Sequence, residues 1–319
     1  MKKTKVVVTG GAGFIGSHIV GEWIERGAEV HIIDNLRTGF LSNVQLFPDA
    51  VFHKGSITDR ELVFNVLRDT DYVHHLAAFV SVPESVEKPE ECYDININGL
   101  LNVLDACKEF GIQKIVFSSS AAVYGDNPEM PKRISSETDP KSPYGSTKLE
   151  GEQHLKSFHE LHNLGTVALR YFNVYGPRQN SKSQYAAAIP IFINNALQNK
   201  PIIIYGDGKQ TRDFIFVKDV VKANIMAAIK EDVNGVFNVA SGIATTILEL
   251  AEMIISLTNS KSKIQFQDER PGDIKHSFAA VDETKVKLGF QSEFSLIDGL
   301  KETIKYYKSL LNQLDSKLQ

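Results

Sequence analysis

A chain of 319 residues with 42% hydrophobic and 23% charged side chains has ample apolar content for a buried core and fits none of the disordered classes. Its formal net charge of -4 and pI near 6.2 provide no basic footprint, which counts against a nucleic-acid partner and favours small-molecule chemistry. No apolar stretch is long enough to span a membrane, and Met1 to Thr4 run directly into a strand without an apolar signal region, so no membrane partner and a cytoplasmic location are expected.

The first predicted element is a fully buried strand at Lys5–Thr9, followed by Gly10-Gly11-Ala12-Gly13-Phe14-Ile15-Gly16 and a helical pattern over 17–26 that Gly27 closes. Gly10, Gly13 and Gly16 allow a sharp turn, a close approach of backbone N–H groups to a pyrophosphate, and tight packing of helix on strand. The helix amino end favours the anion. The next strand, 29–33, ends at Asp34, within about 20 residues of the glycine loop, where a ribose-binding acid is expected. Asp34 would accept both adenosine ribose hydroxyls and repel a 2′-phosphate, so NAD is favoured. Arg37, only three residues on, leaves NADP open.

The alternation then repeats, with strands at 51–53 and 72–76 around a helix at 59–67. Ala77 and Ala78 are small enough to let a dinucleotide pass over the strand edge, although ordinary close packing would need the same residues. An amphipathic helix over 96–110 ends at Gly111, and a strand at 114–117 delivers the run Ser118-Ser119-Ser120 to its carboxyl end, where open α/β sheets bind ligands. A helix over 144–161 follows. Two long helices on one face of such a sheet could pair with their copies, which makes a homodimer the expected assembly.

Pro143 opening that helix would place Tyr144 and Lys148, at i and i+4, on one face and one turn apart. A tyrosine with pKa about 10 must lose roughly three units to act as a base at neutral pH, equivalent to about 4 kcal/mol of phenolate stabilisation. One cation at 4 Å supplies about 4 kcal/mol at an effective dielectric of about 20, before desolvation is subtracted, and an oxidised nicotinamide would add a second positive charge. Ser120 is the expected third partner. Tyr-x-x-x-Lys alone also arises as surface amphipathicity, and the hydroxyl cluster at the preceding strand end is what gives it meaning here.

Cys92 and Cys107 lack metal spacing and read as reduced packing residues. His31, His53, His74, His75, His154, His159, His162 and His276 are scattered without a ligand pattern, so no metal is expected. Beyond Gly176-Pro177 the regular alternation stops, and 185–197 and 248–257 read as helices of a smaller unit. Arg212 and Arg270 suit bidentate pyrophosphate recognition, which a surface arginine in a salt bridge would mimic.

The ordered set of motifs resembles the extended short-chain dehydrogenase/reductases, and within them the UDP-hexose 4-epimerases, over nearly the whole length. It comprises the glycine loop, Asp34-Asn35, His75-Leu76-Ala77-Ala78, the serine run and Tyr144 to Lys148. It continues through Leu169-Arg170-Tyr171-Phe172-Asn173-Val174-Tyr175-Gly176-Pro177, Tyr205-Gly206-Asp207-Gly208, Thr211-Arg212-Asp213-Phe214 and Arg270-Pro271-Gly272-Asp273. The resemblance implies a Rossmann-type doubly wound parallel α/β sheet over 1–175 that holds NAD, with some later strands returning to it. A smaller mixed α/β domain over 176–319 would hold a UDP-sugar.

It also implies a chemistry in which Tyr144 takes the proton from the sugar O4, directly or through Ser120, while C4 gives a hydride to NAD; the 4-keto sugar turns over and takes the hydride back. Ser120, Tyr144 and Lys148 are then the catalytic residues. Cofactor contacts carry over to Gly10, Gly13, Phe14, Ile15, Gly16, Asp34, Asn35, Thr38, Gly39, Ser56, Ile57, Leu76, Ala77, Ala78, Asn96, Ser118, Tyr144, Lys148 and Tyr171. Substrate contacts carry over to Ser81, Ser120, Tyr144, Asn173, Ala187, Ala188, Tyr205, Arg212, Arg270, Asp273 and Ser277. Ser56 departs from the family, which usually has an aspartate there for the adenine amino group.

Ser277 corresponds to the position bordering the sugar C2 substituent, where a serine leaves room for an acetamido group and a large aromatic would not. With Ser81, it implies the UDP-N-acetylglucosamine 4-epimerase branch, with the UDP-glucose/UDP-galactose pair retained. Three alternatives remain: an epimerase restricted to non-acetylated sugars, a UDP-sugar dehydratase or decarboxylase, and a non-catalytic NAD-binding sensor. Ala121 and Ala122 argue against the second, because relatives of those classes resemble this strand end but carry Asp or Glu there. Ser120, Tyr144 and Lys148 argue against the third.

Overall fold

The computed structural model describes residues 3–180, 188–269 and 275–315. Ala187, Arg270 and Asp273 lie outside the described residues. The strands in chain order are β1 (Lys5–Thr9), β2 (Glu29–Asp34), β3 (Val51–Lys54), β4 (Tyr72–His75), β5 (Lys114–Ser120), β6 (Gly165–Tyr171), β7 (Asn173–Tyr175), β8 (Ile202–Tyr205), β9 (Thr211–Phe216), β10 (Gly235–Val239), β11 (Ala244–Thr246), β12 (Ile264–Gln267) and β13 (His276–Ser277). The α-helices are α1 (Phe14–Glu25), α2 (Leu41–Val44), α3 (Arg60–Leu67), α4 (Val82–Glu87), α5 (Pro89–Tyr93), α6 (Gly99–Glu109), α7 (Pro143–His162), α8 (Ala188–Leu197), α9 (Val217–Ile229), α10 (Ile247–Thr258) and α11 (Leu296–Asp315).

Seven strands form one parallel sheet in the order β10-β6-β5-β4-β1-β2-β3. This is the doubly wound Rossmann arrangement. Chain direction across the sheet reverses between β1 and β4, so a crevice opens at their carboxyl ends. Val6, Val7 and Val8 are fully buried because both faces of a parallel sheet are covered. Alternation divides them: Val6 and Val8 pack with Ile19 and Trp23 of α1 and Ala223 of α9, whereas Val7 packs with Val63 of α3, Leu100 and Leu104 of α6 and Leu155 of α7.

The later strands make two smaller assemblies. In one, β9 pairs with β11, β13 and β7; in the other, β12 pairs with β8. A third core of Ile189, Phe192, Ile202, Ile204, Leu250, Ile254 and Leu300 joins α8, α10 and α11 to these strands. Strand β10 instead returns to the edge of the main sheet beside β6, as the alternation through α9 allows.

Local chemistry sets the helix starts. Asp59 caps α3 by accepting the Leu62 N–H, and Ser142 caps α7 by accepting the Gly145 N–H at 3.1 Å, with Pro143 in the first turn. The helix expected over 96–110 enters through a π-helical turn at Asp94–Asn98 before α6. No described helix is long and apolar enough to cross a membrane.

Candidate active site

The crevice at the carboxyl ends of β1, β2, β4 and β5 is a cleft of about 430 Å³, the size of small-molecule sites. Its floor is the glycine loop. Gly10 has φ +74°, and a Cβ there would lie 2.7 Å from the Ala77 nitrogen; a Cβ on Gly16 would lie 2.2 Å from the Gly10 carbonyl oxygen. Neither position can carry a side chain without displacing backbone. The result is a shallow cradle under the first turn of α1, whose leading N–H groups have no intrahelical acceptor.

Asp34 closes the far end of β2. Its Oδ2 accepts the Ala12 N–H at 3.0 Å and its Oδ1 accepts the Leu36 N–H at 2.7 Å, which fixes the carboxylate beside the loop. Burial raises its pKa, and the two backbone hydrogen bonds oppose that rise. Arg37 also lines the cleft, but its guanidinium is engaged by Glu84 and Glu91 and lies 4.3 Å from the Phe79 ring centroid. Those carboxylates repel a phosphate, so the openness to NADP read from Arg37 in the sequence loses its basis.

Cleft-lining residues also include Phe14, Ile15, Asn35, Thr38, Ser56, Ile57, Leu76, Ala77, Ala78, Ser118, Tyr144, Lys148 and Tyr171. Two expected contacts are not among them. Gly39 packs its backbone against Ala12, and the Asn96 amide is buried in holding Phe79 and Thr147: its Oδ1 accepts the Phe79 N–H at 2.7 Å and its Nδ2 donates to Thr147 Oγ1 at 2.9 Å. Asn96 braces α7 instead of reaching the cleft.

At the β5 end, Tyr144 and Lys148 stand on one face of α7 with the Lys148 Nζ 5.7 Å from the Tyr144 ring centroid and 4.7 Å from that of Phe117. Ser120 Oγ accepts the Ala122 N–H at 3.2 Å, and its side chain neighbours the Tyr144 phenol. The electrostatics of the chain alone differ from the sequence expectation. Burial raises the Tyr144 pKa, the neighbouring Ser120 hydroxyl lowers it, and Cys92 acts to raise it. Lys148 is itself pushed down to about 8 by burial, with Cys92 and Glu152 acting against that. A buried ammonium between aromatic faces therefore does not make the phenol acidic unaided.

Several contributing residues were invisible in the sequence. Thr9 Oγ1 hydrogen-bonds His75 Nδ1 at 2.9 Å and accepts the Ala77 N–H at 3.2 Å, pinning the strand end that crosses Gly10. Tyr171 is held by Ser118 at 3.1 Å and by Asn224 of α9, whose Nδ2 lies 2.8 Å away. Ser81 is not at the cleft; it caps α4 by accepting the Glu84 N–H, and Ser85 is the serine that meets α7, accepting the Tyr144 N–H at 3.2 Å. Gln179 and Asn180, just past Gly176-Pro177, line the cleft without a motif to announce them.

Expected substrate residues lie beyond the cleft lining, on the smaller assemblies. Asn173 begins β7, Ala188 begins α8, Tyr205 ends β8, and Arg212 of β9 stands directly across from Ser277 of β13. The donor set of the cleft itself, a side-chain-free cradle at a helix amino end and a carboxylate 22 residues from Ala12 in sequence, suits a dinucleotide.

Comparison with known proteins agrees. The NAD dependent epimerase/dehydratase family matches residues 6–240. A putative UDP-glucose 4-epimerase of Methanocaldococcus jannaschii is 39% identical over 306 residues, covering 95% of this chain and 98% of the relative. A UDP-N-acetyl-alpha-D-glucosaminuronate decarboxylase of Bacillus cytotoxicus is 37% identical, with 97% and 99% covered. Among solved structures, a UDP-N-acetylglucosamine 4-epimerase from Methanobrevibacter ruminantium M1, in complex with UDP-N-acetylmuramic acid, superposes with a TM-score of 0.92 at 46% identity over 97% of this chain and 100% of that one.

Proposed function

The chain belongs to the NAD dependent epimerase/dehydratase family, and from that premise we propose that it inverts C4 of UDP-sugars, both the UDP-N-acetylglucosamine/UDP-N-acetylgalactosamine pair and the UDP-glucose/UDP-galactose pair. The observation that carries this reading is the placement of Tyr144 and Lys148, with Ser120 beside Tyr144, at one end of the cleft whose other end is the glycine cradle and Asp34. When bound, NAD supplies a reversible hydride acceptor for the sugar carbon.

The chain's own groups do the rest. Tyr144 Oη takes and returns the proton of the sugar hydroxyl, and Ser120 Oγ offers it a relay. Lys148 contributes a positive charge on the same helix face. Gly10 and Gly16 hold the pyrophosphate passage open, and Asp34 takes the ribose hydroxyls. Residues 1–175 would hold the cofactor and 176–319 the sugar nucleotide, with Arg212 at the pyrophosphate, Ser277 at the C2 substituent, and Asn173, Ala188 and Tyr205 around the uridine phosphate and base. The reading includes a cytoplasmic homodimer through α6 and α7, which light scattering would detect as twice the 35.5 kDa chain mass.

The decarboxylase relative favours a second reading. Ala121 and Ala122, which follow Ser120 in a short 3-10 turn, place methyl groups where that chemistry needs an acid or base. The discriminating experiment incubates purified protein, without added cofactor, with each of the four UDP-sugars and measures interconversion and the NAD released on denaturation. Interconversion of both pairs is expected. Absence of C4 inversion, or release of CO2 from a UDP-uronate, would overturn the proposal.

A further inference from the structure

Glu152 is the next residue after Tyr144 and Lys148 on their face of α7, and its side chain is only 5% exposed. Oε1 accepts hydrogen bonds from Ser119 Oγ at 2.5 Å and Arg170 Nε at 2.9 Å, and Oε2 accepts from Arg170 Nη2 at 2.7 Å. Ser119 of β5 and Arg170 of β6 are directly paired in the sheet, so one carboxylate seats the helix on two neighbouring strands at once. The Arg170 guanidinium lies 4.8 Å from the Tyr124 ring centroid, the Tyr124 hydroxyl donates to Asn238 Oδ1 at 2.7 Å, and Asn238 Nδ2 donates to the Lys132 carbonyl at 2.9 Å. A buried ion pair is a poor device for stability alone, because desolvation offsets its attraction, whereas its two-point geometry fixes orientation well.

We propose that Glu152 is a positioning residue: through Ser119 and Arg170 it locks α7 on β5 so that Tyr144 stays opposite Ser120, and it places a carboxylate one turn behind Lys148. The inference rests on the reading of Tyr144 and Lys148 as the acid–base pair. The groups facing Lys148 are Tyr144, Glu152, the Cys92 thiol of α5, the His75 ring of β4 and the Phe117 ring of β5. Burial drives Lys148 and His75 toward their neutral forms. Glu152 is the carboxylate that opposes this at Lys148.

The test follows the titration of Lys148 by NMR of protein carrying 13C at the lysine ε-carbons, which is independent of any substrate, together with the pH profile of kcat. Glu152→Gln should move the Lys148 midpoint down by about one pH unit, and Arg170→Gln, which leaves the carboxylate unneutralised, should move it up. The alkaline limb of kcat should follow in each case. A carboxylate needed only for folding would lower the activity of both variants without opposite shifts; unchanged midpoints, or shifts of one sign, would overturn the proposal. Ser119→Ala removes one seat without touching either charge. It should lower kcat about tenfold with little change in KM, and an unchanged kcat would equally count against the positioning role. If the NMR shifts appear but no UDP-sugar is epimerised, the proposed reaction fails and the role of Glu152 in holding Lys148 charged stands.

Discussion

The Lys148 ammonium stands 5.7 Å from the centroid of the Tyr144 ring, inside a site where burial governs the titration of both groups. Its folded-state pKa of about 8 lies below the ordinary 10.5, so between those values the unfolded chain binds more protons and stability rises with pH. Below pH 8 the charged, buried lysine therefore costs up to about 3 kcal/mol. Lys148→Met should abolish turnover yet raise the urea midpoint at pH 7, with the advantage shrinking toward pH 10.5, when both proteins are compared in the same cofactor state. A methionine variant no more stable than the parent at pH 7 would contradict this.

Tyr144→Phe removes only the hydroxyl that faces Ser120. On the proposed mechanism kcat should fall by about 10² to 10⁴, while NAD content and the thermal midpoint stay near those of the parent. Near-normal turnover would refute the general-base assignment.

Ser277 stands across from Arg212 on adjoining strands, so a bulky side chain there projects beside the residue proposed to hold the pyrophosphate. Ser277→Tyr should lose activity on the acetamido pair and keep it on UDP-glucose and UDP-galactose, as measured by kcat/KM for all four sugars. Loss of neither, or of both, would remove Ser277 as the gate.

Two buried histidines, His74 and His75, and the half-buried His18 make the fold acid-sensitive. Burial lowers His18 and His75 to about 3 and His74 to about 4, from an ordinary 6.5; Arg178 adds to the effect at His18 and Lys148 at His75. Because the folded values are depressed, their contribution is complete above pH 6.5 and is lost as the pH falls toward 4. Each loses about 1.4 kcal/mol per pH unit, or about 4 kcal/mol for three, against a typical total of about 5–15 kcal/mol. The raised carboxyls of Asp34, Asp213 and Asp219 act oppositely, in a window beginning near 3.8. Urea midpoints should drop steeply between pH 6.5 and 4.5, and His74→Gln should flatten that slope. A midpoint constant over this range would exclude the mechanism.

The amino-acid sequence by itself determined whatever is local. The strand, glycine loop and helix from Lys5 to Glu25, the acid at the end of β2, the serines ending β5 and the i,i+4 placement of Tyr144 and Lys148 all follow from periodicity, capping and spacing within a few residues. Only the tertiary structure decided what meets across long separations. It assigned Asn96 to bracing α7 and Arg37 to Glu84 and Glu91, put Ser81 at the start of α4 and Ser85 against the Tyr144 N–H, and joined Glu152 to Ser119 and Arg170. It also set burial against the expected fall in the Tyr144 pKa, because desolvation depends on every element packed around a group and has no signature in the residues next to it in the chain.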